Sequence, residues 1–109
     1  MAYDEGLAQR VREALEAEAP FSEKKMFGGV CFLVKGNMAC GILGDDLIVR
    51  VGPQRYAEAL KAPAARAFDV TGRPMKGWVM VSSEGHAADR DLTAWVRRGL
   101  AFAQSLPPK

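Results

Sequence analysis

Residues 25–51 read Lys-Met-Phe-Gly-Gly-Val-Cys-Phe-Leu-Val-Lys-Gly-Asn-Met-Ala-Cys-Gly-Ile-Leu-Gly-Asp-Asp-Leu-Ile-Val-Arg-Val, a succession of short apolar runs separated by glycine-bearing turn signals. Runs this short and this rich in β-branched and aromatic residues fold as strands. Gly36-Asn37 suits a tight hairpin turn and Gly44-Asp45-Asp46 a second reversal, so three consecutive antiparallel strands are expected, over 25–35, 38–43 and 47–51. The first is apolar almost throughout and is interrupted by Gly28-Gly29. We read that pair as a bulge that resets which side chains face inward.

Helical periodicity flanks this β segment. Leu7, Val11, Ala14 and Leu15 recur on one side of residues 4–19, opposite Glu5, Arg10, Arg12, Glu13 and Glu16, with Asp4 as the cap and Pro20 as the stop. Proline at a first helical position marks a short helix over 53–61, with Tyr56, Ala59 and Leu60 facing inward. Residues 68–70 read as a short strand, 71–77 as a loop, 78–81 as a strand and 82–88 as a polar connection. Asp89 is the expected cap of a last helix that buries Leu92, Trp95, Val96, Leu100 and either Phe102 or Ala103, followed by a frayed tail at Pro107-Pro108-Lys109. The order α-β-β-β-α-β-β-α gives an α+β domain, an antiparallel sheet with helices on one face. One domain over 1–109 is expected, its core at about 4–105 and its tail at 106–109.

Composition narrows the functional classes. At 109 residues, with 49% apolar and 26% charged residues, the chain suits one self-sufficient core. Fifteen basic against thirteen acidic residues, a net charge of +2 with no basic run, argues against a dedicated nucleic-acid binder. No leader or membrane-spanning stretch is legible, which places the expected setting in the cytoplasm. If Gly36-Asn37 is the turn, Cys31 faces Ile42 and Cys40 faces Leu33. That register sets both thiols on one sheet face but too far apart for a disulfide, so two free, buried cysteines are expected.

Four stretches carry a family likeness: Lys25-Met26-Phe27-Gly28-Gly29, then Gly36-Asn37-Met38-Ala39, then Leu47-Ile48-Val49-Arg50-Val51, and Pro74-Met75-Lys76-Gly77-Trp78. Together they resemble the N-terminal domain of the TfoX/Sxy competence-regulator family over roughly residues 5–103. The family pattern differs in having arginine at the position of Lys25, no residue at that of Lys76, and tyrosine at that of Trp78. Its longer members carry a second domain, and this chain stops where that would begin, so a stand-alone N-terminal domain is expected. What the resemblance implies is a non-catalytic regulatory or protein-interaction domain, with the motif residues Lys25, Met26, Phe27, Gly28, Gly29, Arg50, Arg73, Pro74, Met75, Lys76, Gly77 and Trp78 as candidate contacts.

The residues themselves leave other readings open. Lys24, Lys25, Arg50, Arg73 and Lys76 would form a basic patch for phosphate, nucleic acid or an acidic partner if their segments converged. That is the alternative of a nucleic-acid-associated regulator. Met26, Phe27, Met38, Met75, Trp78 and Met80 read as core or as an adaptable apolar groove for a partner or a second copy of the chain. Cys31, Cys40 and His86 are the only groups for a small thiol- or histidine-dependent enzyme. Ser82, Ser83 and His86 are too close along the chain for triad geometry, and His86 reads as an exposed loop residue. Zinc would need four closely spaced ligands, and neither a metal nor another cofactor is expected. Asp45-Asp46 and Asp89 with Asp91 have local explanations in turn and helix-start chemistry.

Overall fold

The computed structural model describes residues 3–26, 28–69, 72 and 75–108. Helix α1 spans Glu5–Glu16, and the Leu7 amide donates to Oδ1 of Asp4 at 3.1 Å, which makes Asp4 the expected cap. Leu7, Ala8, Val11 and Leu15 are its buried face. The amides of Glu18 and Ala19 both donate to the Leu15 carbonyl, so the helix has already ended before Pro20.

Among the described residues six strands follow in one antiparallel sheet of order β1-β2-β3-β4-β6-β5. They are β1 (Ser22–Met26), β2 (Gly29–Val34), β3 (Asn37–Leu43), β4 (Asp46–Arg50), β5 (Ala65–Ala67) and β6 (Trp78–Val81). Helix α2 (Tyr56–Ala59) lies between β4 and β5, and α3 (Ser83–His86) and α4 (Asp89–Ser105) close the chain. Alternation puts Phe32, Ile42, Leu47, Val49, Val79 and Val81 on one face, where they form a single core with Leu7, Val11, Leu15, Leu92, Val96 and Leu100 of the long helices. The class is therefore α+β with the helices on one face of the sheet.

Several local expectations are corrected. Gly28-Gly29 is not a bulge in one long strand. Met26 pairs with Gly29, and Gly28, at φ 77°, stands in the connection between two strands, so polar Ser22-Glu23-Lys24-Lys25 is an edge strand of its own. Gly29 also lies so close to β3 that any side chain there would overlap the Ile42 carbonyl. The next turn is one residue earlier than expected. Val34 pairs with Asn37, leaving Lys35 (φ 54°) and Gly36 (φ 83°) as its two residues, both left-handed as a type I′ turn demands.

The pairing then shifts between Phe32 and Leu33, which leaves Ala39 without a partner as a bulge in β3. Cys31 consequently pairs with Gly41 and Phe32 with Cys40, so the two thiols occupy opposite faces rather than the same one. Both are free and buried. The second strand pair uses Ala65–Ala67 instead of 68–70, and Val70 lies outside the described residues. The segment 82–88 contains α3, and α4 starts at Asp89 without a side-chain cap. Asp89 instead pairs with Arg10 of α1 at 2.9 Å. The tail is not loose at Pro107, whose carbonyl accepts from the buried Asn37 side-chain amide at 2.9 Å.

Candidate functional site

The sheet face turned away from the helices is also apolar. Alternation places Cys31, Met38, Gly41, Ile48, Arg50, Arg66, Trp78 and Met80 there, since Ile48 pairs with both Gly41 and Met80, and Arg50 with Trp78. Ile48, Phe68 and Met80 are buried in a second, smaller cluster, and Met38, Leu43, Met75 and Trp78 pack around it while remaining partly exposed. Phe68 and Trp78 meet with ring centroids 6.1 Å apart. The Met75 amide donates to the Phe68 carbonyl at 3.0 Å, which sets these two residues side by side in the cluster with Ile48 and Met80. Leucine, methionine and tryptophan side chains are thus gathered on a face that none of the described helices covers.

Arg50 sits at the border of this face with its guanidinium between two rings, 5.1 Å from that of Trp78 and 5.2 Å from that of Phe102 on α4. Stacking fixes the head group while leaving its donors available. Gly77 holds the neighbouring backbone, its carbonyl accepting from the amides of Val51 and Gly52 at 2.8 and 3.0 Å. Lys24, from the opposite edge of the sheet, faces the same side as Cys31, and its charge partly offsets the upward push that burial gives the Cys31 thiol.

The expected motif residues therefore divide. Arg50, Met75, Gly77 and Trp78 come together at one end of the sheet, with Lys76 exposed in the turn beside them. Lys25, Met26, Gly28 and Gly29 belong to the β1–β2 hairpin at the opposite end, with β2 and β3 between that edge and β4. Lys24 and Lys25 alternate across the sheet, so they do not combine with Arg50 and Lys76 into one basic patch. Phe27, Arg73 and Pro74 lie outside the described residues. Of the Met and aromatic set, Met38, Met75, Trp78 and Met80 do form one cluster.

Of the groups considered for catalysis, His86 Nε2, Ser82 and Cys40 are held within the fold, while His86 Nδ1 is buried without a hydrogen-bond partner. His86 is buried, not exposed, and its Nε2 lies 2.9 Å from the Asp45 carbonyl, which fixes Nε2–H as the donor. Ser82 Oγ contacts the Ala64 carbonyl at 3.2 Å and Glu84 Oε2 at 2.8 Å. Cys40 is enclosed by the helix-side core, and burial pushes its thiol up to about 12. A thiol so disfavoured as thiolate is a poor nucleophile near neutral pH. Among the described residues no three His, Cys, Asp or Glu side chains are grouped to hold a metal ion, and no helix is long and apolar enough to cross a membrane.

A family model described as the TfoX N-terminal domain matches residues 5–103. A search of curated proteins and a search of solved structures each gave no match.

Proposed function

The chain belongs to the TfoX N-terminal domain family, and on that premise we propose that it is a non-catalytic regulatory domain that works in the cytoplasm by binding a partner protein through the helix-free face of its sheet. One observation carries the reading. Met38, Leu43, Met75 and Trp78 stay partly exposed above Ile48, Phe68 and Met80 on the face opposite the described helices. Clustered apolar side chains of this kind mark contact surfaces, and methionine adapts to varied partners. Lys24 and Arg50 lie on that same face, so the occupant is an apolar segment flanked by acidic residues.

A photo-crosslinking amino acid placed at Met38 or Leu43 in the native cell tests this, with Glu13 on the exposed side of α1 as the control. The expected result is one discrete adduct from the sheet positions, absent from Glu13, whose crosslinked segment is apolar and acidic, and which the Trp78→Glu change abolishes. An adduct of twice the chain's mass would identify that occupant as a second copy. Adducts from Glu13 but not from Met38 or Leu43 would overturn the reading, and nuclease-sensitive adducts would replace it with a nucleic-acid-binding role.

A further inference from the structure

A second surface, which meets the apolar face only at Arg50, has the chemistry of an anion site. Between the loop after β4 and the second half of α4 lies a cleft of about 550 Å³ whose lining includes Gln54, Arg55, Arg97, Arg98, Phe102 and Ser105. That volume is in the range of small-ligand sites. Every charged residue lining it is an arginine. Arg50 borders it, its guanidinium 5.2 Å from the Phe102 ring. Of these arginines, Arg97 shares its charge with Glu18 at 3.1 Å. Four guanidiniums against one carboxylate leave a local charge of about +3, larger than the +2 of the whole chain.

Two of these cations are held in place before any ligand arrives. Arg98 stacks on Trp95 at 4.7 Å, and Arg50 lies between Trp78 and Phe102. A stacked guanidinium keeps its edge donors free, and less side-chain freedom is lost when it binds. Planar guanidinium forks on both walls of a cleft suit the oxygens of adjacent phosphate groups better than a lone carboxylate.

The geometry points to a binding site for a small oligophosphate, a ligand carrying two or more linked phosphates such as a nucleoside triphosphate. It does not depend on the sheet-face reading, because its lining comes from α4 and residues 51–55, and only Arg50 at its border is shared with that face. Arg55 on one wall and Arg98 on the other are its principal ligands, with Arg50 and Arg97 supplying the surrounding field.

Titration calorimetry of the intact chain with orthophosphate, inorganic triphosphate, adenosine triphosphate and a twelve-nucleotide single strand tests the proposal. Saturable binding of triphosphate and nucleotide is expected, roughly tenfold or more tighter than orthophosphate and weakening as salt is raised. Arg55→Ala and Arg98→Ala should each weaken it about tenfold, as loss of a charge-assisted pair implies, while Arg12→Ala, whose guanidinium pairs with Glu23 of β1, leaves it unchanged. Tighter triphosphate than nucleotide binding would make the phosphates the whole determinant, and the reverse would add the base; either supports the site. Absence of saturable binding, binding indifferent to both arginine changes in variants whose circular dichroism is native, or binding of the single strand alone would overturn it.

Discussion

Gly99 of α4 lies directly against the carbonyl of Ala39, the unpaired residue of the β3 bulge, with no room for even a methyl group between them. The bulge and the glycine are one device, because the backbone that leaves the ladder at Ala39 is what the helix rests on. Gly99→Ala therefore gains about 1 kcal/mol of helix propensity but loses roughly 3 kcal/mol to overpacking against a backbone atom that cannot rotate away. A net loss of about 2 kcal/mol is expected in urea unfolding, seen as a lower midpoint at unchanged slope. Ala101→Gly, on the exposed side of the same helix, should cost only about 1 kcal/mol.

Lys35 occupies the first position of a type I′ turn at φ 54°, a conformation in which a lysine is strained and asparagine is tolerated. Lys35→Asn should raise stability by about 0.5–1 kcal/mol. If Gly36 and Asn37 were the turn residues instead, the change would be neutral and Asn37→Ala would do the damage through the turn.

In the observed register Asn37 points to the helix side and donates to the Pro107 carbonyl. Asn37→Ala should then cost about 1–2 kcal/mol through the lost bond and the space left at a buried site. Faster amide exchange in the last turn of α4, and not only in the hairpin, is the accompanying sign.

Arg10 and Asp89 form an ion pair, yet the two partners are not equivalent. Arg10 also donates to the carbonyls of His86 and Ala87 at 2.9 and 3.1 Å, tying α1 to the end of α3, whereas the Asp89 side chain is 91% exposed. Arg10→Met should cost about 1–3 kcal/mol and Asp89→Asn at most about 0.5 kcal/mol. Equal effects in thermal or urea unfolding would mean that the ion pair, and not the carbonyl bonds, is what matters.

Cys40 makes stability fall in alkali. Its folded-state thiol is raised to about 12 from an ordinary value of 9.0, so the folded chain holds a proton that the unfolded chain releases. The contribution is complete below about pH 9 and is lost as pH rises toward about 12, at about 1.4 kcal/mol per pH unit. Urea midpoints between about pH 8 and 11 should decline less steeply in Cys40→Ala than in the parent chain, the difference removing the background from other titrating groups.

The long helices were legible because the spacing of Leu7, Val11 and Leu15, and of Leu92, Val96 and Leu100, is set by the same core they bury. Most of the sheet was legible for a similar reason. Strand β1 was not, since Ser22-Glu23-Lys24-Lys25 carries the polar residues that protect a sheet edge and no alternation signal. The turn was misplaced by one residue because Gly36 can begin or end a two-residue turn. Asn37, a turn-former by type, is used here for its side-chain amide. That slip alone keeps both thiols on one face, since moving a two-residue turn by one position shifts the pairing by two; it was the unforeseen bulge at Ala39 that put Cys31 and Cys40 on opposite faces.

The site was legible only in its parts. Met75 and Trp78 announced themselves by type, but the Arg50–Trp78 pair depends on β4 lying beside β6, a long-range pairing that no local pattern encodes. The arginine cleft joins residues 54–55 to 97–98 and has no sequence run to reveal it. His86 looked exposed because its neighbours are small and polar, whereas its burial comes from α3 docking on the Asp45 turn.

The most direct test is the solvent accessibility of methionine methyl groups, read by NMR line broadening from a soluble paramagnetic probe at a concentration where sedimentation shows a monomer. The methyls of Met38 and Met75 should broaden strongly, that of Met80 less, and those of Leu7 and Leu47 hardly at all. Met38 and Met75 protected as well as Leu47 would mean that the chain covers this face itself, and the proposed contact surface would be gone.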